Sequence, residues 1–89
     1  MRYRVADERV AWNKLAGHVL ILEMENSRYF RLNRAGGLLW EHVASATNPV
    51  SSRQLVRLLV DEFGITGERA AADVRAFLDR MGSFGLLEA

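Results

Sequence analysis

The sequence predicts an α+β domain: a three-stranded antiparallel sheet followed by three helices, in the order βββααα. Three observations carry this expectation. Residues 9–33 are rich in branched and aromatic side chains, interrupted by short turn-forming clusters. Residues 33–89 place apolar side chains at helical spacing, behind capping residues. No repeat, linker or shift in composition divides the 89 residues, so one domain spanning 1–89 is expected.

The elements follow in order. Arg9-Val10-Ala11-Trp12 reads as a short first strand, and Asn13-Lys14-Leu15-Ala16-Gly17 supplies turn chemistry. His18 to Met24 is a second strand of branched apolar residues. Glu25-Asn26 turns the chain, because Asn tolerates positive φ. Ser27 to Leu32 returns as the third strand, and the short spacing makes the set a meander. Asn33 is a good N-cap for a helix from Arg34 to about Ala46, with Leu39, Val43 and Ala46 on one face and Trp40 beside them. Thr47-Asn48-Pro49-Val50 breaks it. Ser51 and Gln54 form a capping box that opens a helix carrying Leu55, Leu58, Leu59 and Phe63. After Gly64-Ile65-Thr66-Gly67, Thr66 caps a third helix. Glu68 in its first turn suits the positive helix terminus. Its stripe is Ala70, Ala71, Val74, Phe77, Leu78 and Met81. Gly82 and Gly85 are expected to stop it, and Leu86-Leu87 to fold back onto the core.

Bulk composition narrows the function classes. A chain of 89 residues that is 49% hydrophobic builds a modest core, which favours a small binding module over an enclosed catalytic pocket. The net charge is +1, with no basic tail, so the footprint of a general nucleic-acid binder is weak. There is no cysteine, which excludes disulfides, thiolate zinc sites and cysteine catalysis. Residues 1–8 lack the apolar core of a signal peptide. No apolar run approaches the roughly 18 residues that span a bilayer. A soluble cytoplasmic protein is expected.

Residues with chemical potential are scattered. The order strand, Gly36-Gly37, helix resembles a phosphate loop, but the P-loop and dinucleotide fingerprints are absent. The two glycines read as a close approach of the helix start to the sheet. His18 and His42 have no partner at i+3 or i+4, so no metal pair is indicated, and neither a cofactor nor a catalytic residue is expected. Glu23 and Glu25 lie near Arg28 and Arg31 across the predicted hairpin and read as solvated cross-strand pairs. Glu62, Asp73 and Asp79 fall on helices among arginines.

The sheet is the informative object. Its third strand is an edge, and edges are usually blunted by Pro, Lys or short length. Ser27 to Leu32 has no Pro and no Lys, and it ends in Tyr29-Phe30-Arg31-Leu32. Tyr29 and Phe30 point to opposite faces. Such an edge accepts an extended peptide as an added strand. Val74, Phe77, Leu78 and Met81 are more apolar residues than one core stripe needs, and part of them could line a groove beside that edge. The same residues also read wholly as core, with an edge that merely self-associates.

At Leu32-Asn33-x-x-Gly36-x-x-Leu39-Trp40 the chain resembles the PqqD family, whose members show a strand ending in aromatic-x-Leu-Asn, a spaced Gly, then an apolar–Trp pair. Three further segments are similar in the same order: Ser51 to Leu59, Asp73-Val74-x-x-Phe77-Leu78-x-x-Met81, and Gly85-Leu86-Leu87. Together they cover roughly residues 5–87.

The resemblance implies a winged-helix-like βββααα domain that binds the leader segment of a ribosomally synthesised precursor peptide. The leader would add as a strand to the third β-strand and pack on the third helix. Carried across, the peptide-binding residues are Arg28, Tyr29, Phe30, Arg31 and Leu32 on the strand, and Asp73, Val74, Phe77 and Met81 on the helix. The partner of the complex would be a separate maturation enzyme, as in the free-standing members of lasso-peptide pathways, where it is a leader peptidase. The alternative from another class is a winged-helix DNA-binding protein, which three helices beside a small sheet permit.

Overall fold

In the computed structural model, which describes residues 1–89, the chain runs β1 (Arg2–Val5), β2 (Val10–Leu15), β3 (His18–Glu23), β4 (Arg28–Leu32), α1 (Arg34–Ser45), β5 (Val50–Ser51), α2 (Ser52–Phe63), α3 (Gly67–Ser83) and β6 (Leu87–Glu88). Strands β2, β3 and β4 form an antiparallel meander in that spatial order. A second small antiparallel sheet has the order β5-β1-β6. The architecture is the expected α+β, winged-helix-like arrangement, with three helices on one face of the meander.

Side-chain alternation sets the core. Val19 and Ile21 of β3 and Phe30 and Leu32 of β4 turn to the same face and are buried there. They join one apolar cluster with Leu39, Trp40 and Val43 of α1, Leu55 and Leu59 of α2, and Val74, Phe77, Leu78 and Met81 of α3. Trp40 is wholly buried, with Trp12 of β2 edge-on to it at 6.4 Å and 82°. At Gly37 an added Cβ would stand 3.2 Å from Val19 Cγ2, tighter than ordinary contact, so the missing side chain eases the close approach of α1 to β3.

The helix starts are as the caps predict. Asn33 Oδ1 accepts the Gly36 N–H at 2.8 Å. Ser51 and Gln54 exchange both bonds of the capping box, at 3.2 and 2.7 Å. Thr66 Oγ1 accepts the Arg69 N–H at 3.2 Å. Each such cap is worth about 1 kcal/mol.

Several boundaries differ from the sequence reading. Strand β2 continues through Asn13 and Lys14 to Leu15, and the turn is only Ala16-Gly17, both at positive φ (53° and 81°). Two positive φ angles are what a type I′ hairpin needs, and its twist matches that of the strands. Asn13 and Lys14 looked like turn residues because the side chains on both faces of this strand's end are exposed to water, although its inner edge is paired with β3. The β3–β4 connection is Met24 to Ser27, with positive φ at Ser27 rather than Asn26. Glu23 is not a solvated partner of Arg28 or Arg31: it is 3% exposed, and its carboxylate accepts the Asn26 N–H at 3.0 and 3.3 Å. Glu25 instead lies 4.0 Å from Arg9. Helix α3 runs through Gly82 to Ser83, and the left-handed residue that ends the turn is Gly85 (φ 72°). The β5-β1-β6 sheet was not foreseen.

Candidate functional site

Strand β4 is one edge of the meander, and the pairing register shows which of its backbone groups are free. In a two-residue hairpin the closing residues, here Leu15 and His18, form a hydrogen-bonded pair. Pairing alternates from there, so His18, Leu20 and Leu22 bond β2. The Met24 N–H donates to the Arg9 carbonyl at 2.8 Å, which has the same parity and confirms it. Val19, Ile21 and Glu23 therefore bond β4, through Leu32, Phe30 and Arg28. The N–H and C=O of Tyr29 and Arg31 point away from the sheet, and no loop or cap backbone bond reaches them. The opposite edge, β2, is blunted by Lys14, whose Nζ lies 3.3 Å from Glu41.

The side chains of β4 divide accordingly. Tyr29 is 79% exposed and stands on the outer face across from Leu22, with Arg31 across from Leu20. Phe30 and Leu32 face the helices. The Phe30 ring lies 4.8 Å from that of Phe84, and the Arg28 guanidinium stacks over Phe84 at 5.5 Å. The end of this edge thus has an aromatic–cation corner, and its other end opens into a cleft.

That cleft has a volume of about 560 Å³ and lies between the end of β4, the first turns of α1, and α3. Leu32, Leu39, Leu59, Phe77 and Met81 form its apolar floor; Ala35, Gly36 and Ala76 are its small wall residues. The rim carries Arg31, Arg69, Arg80 and Asp73. Asp73 is 3.9 Å from Arg69, while Arg31 and Arg80 make no ion pair. The rim is therefore net positive around an apolar floor. The volume falls within the range of ligand pockets, roughly 300–1,000 Å³.

The nine residues singled out from the sequence separate by depth. Arg28, Tyr29, Arg31 and Asp73 are exposed. Phe30 and Leu32 are core residues that carry the edge strand. Phe77 remains 9% exposed and faces the cleft, and Met81 is fully buried beneath it. Val74 is also buried and does not line the cleft. Arg69, Ala76 and Arg80 were not singled out. They share a helical face with Asp73 at spacings of three, four and seven, next to the Ala70-Val74-Phe77-Met81 stripe. That adjacency was a signal available in the sequence. His42 is exposed, and no group of three His, Asp or Glu side chains gathers anywhere. No helix is long and apolar enough to cross a membrane.

An unpaired strand edge running into an apolar cleft under a helix is the arrangement of a domain that captures an extended chain. The chain belongs to the PqqD family: the model for "Coenzyme PQQ synthesis protein D (PqqD)" matches residues 18–87. Two solved structures share the fold. "TbiB1 in Complex with the TbiA(beta) Leader Peptide" superposes with a TM-score of 0.85 at 21% identity, covering 97% of this chain and 95% of that one. "Lasso peptide synthetase B1 complexed with the leader peptide" gives 0.83 at 15% identity, with both chains fully covered. No protein with a curated description matches the sequence.

Proposed function

We propose that this protein is a non-catalytic recognition domain that binds the leader segment of a ribosomally synthesised precursor peptide and delivers it to a separate maturation enzyme, a leader peptidase of a lasso-peptide pathway. The observation that carries this reading is the open backbone of Tyr29 and Arg31 beside the cleft floored by Phe77. The leader adds to β4 as a fourth strand. Alternate side chains then fall towards the cleft and α3, and the others onto the outer face beside Tyr29. Arg31 and Arg80, which have no ion-pair partner, meet acidic leader residues. Membership of the PqqD family and the leader-bound state of both similar structures support the assignment.

The DNA-binding alternative gains nothing from the geometry. On α3, Arg69, Arg75 and Arg80 are interleaved with Glu68, Asp73 and Asp79, so that helix presents no basic face. Calorimetric titration with the leader of the precursor encoded beside this gene tests the proposal. A Kd of about 1 μM or tighter is expected, a free energy of about −8 kcal/mol. Absence of heat at saturating leader, together with salt-dependent retardation of random duplex DNA, would overturn it.

A further inference from the structure

The β3–β4 register sets Glu23 opposite Arg28, a pairing that would ordinarily give a cross-strand ion pair. The ion pair does not form. Both Glu23 carboxylate oxygens accept the Asn26 N–H, at 3.0 and 3.3 Å, and the side chain is buried. Arg28 is left without any salt bridge. Its guanidinium is nonetheless held in place. It lies 5.5 Å over the ring of Phe84, and that ring packs at 4.8 Å on Phe30, the next inward residue of the same strand. Phe84 is fixed by the end of α3. Its N–H donates to the Arg80 carbonyl at 3.3 Å, and after the left-handed Gly85 the Leu86 N–H returns to the Met81 carbonyl at 2.9 Å. A guanidinium stacked by its face keeps its edge N–H groups free, in a plane that matches a carboxylate. Arg28 is thus a prearranged carboxylate receptor whose neighbour in the chain is engaged elsewhere.

Its place in the strand has a second consequence. Arg28, Phe30 and Leu32 turn to the helix side of the sheet, and residues of an added strand opposite them do the same. Leu32 borders the cleft, and Arg28 stands at the other end of β4, four residues away. At about 3.3 Å per residue the separation is about 13 Å. An added strand that places one side chain in the cleft therefore presents another to Arg28 four positions along, on the same face. A slip of one residue turns that side chain to the outer face.

We infer that Arg28, held by Phe84, is a carboxylate subsite that sets the register of the added strand: the bound leader carries Asp or Glu four residues from the residue that enters the cleft. This rests on the peptide-binding reading above. It adds a chemical class at one leader position, the spacing that selects it, and a positioning role for Phe84. A second stack supplies a control. Arg34 lies over Phe63 at 5.4 Å, also without a salt bridge, but it borders a separate depression with Gly37, Leu38 and Glu41.

The test is a set of calorimetric titrations. Wild type, Arg28→Ala, Arg28→Lys, Arg34→Ala and Phe77→Leu are titrated with the synthetic leader, with leaders in which each Asp or Glu in turn becomes Asn or Gln, and with leaders in which each apolar residue in turn becomes Ala. Arg28→Ala is expected to weaken the unmodified leader about three- to tenfold, more than an ordinary surface ion pair because the fork is held in place. Arg34→Ala removes the same charge and the same kind of stack, and leaves the affinity within about twofold, since a distant exposed charge is screened. Arg28→Lys keeps the charge without the planar fork and follows Arg28→Ala. At one acidic leader position the amide replacement removes the Arg28→Ala effect. That position lies four residues from the one at which an Ala replacement removes the Phe77→Leu effect. The ratio of affinities for two leaders is read on each variant, so a change in folded fraction does not mimic the result. If Arg28→Ala and Arg34→Ala weaken the leader alike, if Lys serves as well as Arg, if no amide replacement removes the effect, or if the two coupled positions are not four residues apart, the subsite assignment is wrong while the peptide-binding reading stands. If wild type binds no leader, both fall.

Discussion

Replacing Arg31 with proline removes one outward N–H and no other backbone bond. The register directs the Arg31 N–H to the open edge, whereas Phe30 and Leu32 carry the ladder to β3. Proline is tolerated on an edge strand when its missing N–H faces solvent. The residue before it, Phe30, is already extended, as a pre-proline residue prefers. Arg31→Pro should therefore fold. Arg31→Ala serves as the reference, since it removes the same guanidinium but keeps the N–H. A strand-added leader that loses this donor forfeits a net hydrogen bond of about 0.5–1.5 kcal/mol. A leader carbonyl left unpaired raises the loss to about 1–3 kcal/mol. This corresponds to a Kd about 5- to 150-fold weaker than that of Arg31→Ala. Calorimetry measures the ratio, and circular dichroism verifies the fold. Equal affinity of the two variants would refute strand addition at this residue. So would unfolding of Arg31→Pro, because it would show that the Arg31 N–H bonds β3.

Further outcomes follow from the same geometry. Arg31→Glu should weaken leader binding by about 0.5–2 kcal/mol, the effect of reversing one exposed charge, and the loss should shrink at high salt; titrations at two ionic strengths check both. Phe77→Asp should abolish binding. Because Phe77 also belongs to the core, a thermal melt must accompany it, and Phe77→Leu should keep the fold while weakening the leader. Glu23→Ala should destabilise the domain by about 1–3 kcal/mol in urea unfolding, since the Asn26 N–H loses its buried acceptor.

Much of this arrangement could be read from the chain because the physics behind it is local. Caps at Asn33, Ser51 and Thr66 depend on residues three apart, and α1, α2 and α3 begin where those caps place them. The β4 edge was legible for a similar reason, as a strand pattern without Pro or Lys. What was not legible depends on distant partners. Strand β1 pairs Tyr3 with Val50 and Val5 with Leu87, and two-residue strands have no periodicity of their own. Glu23 reads as a surface carboxylate until the loop that returns Asn26 to it is in place. The cleft was half legible: the apolar stripe of α3 pointed to it, but the division into core (Val74) and cleft floor (Phe77) needed α1 to be docked.

Amide hydrogen exchange along β4, with and without saturating leader, tests strand addition most directly. Phe30 and Leu32 should be protected in the free protein, because their amides bond β3. Tyr29 and Arg31 should exchange freely alone and become strongly protected in the complex. If Tyr29 and Arg31 exchange equally fast in the leader-saturated protein, the leader binds elsewhere and the account of this edge is contradicted.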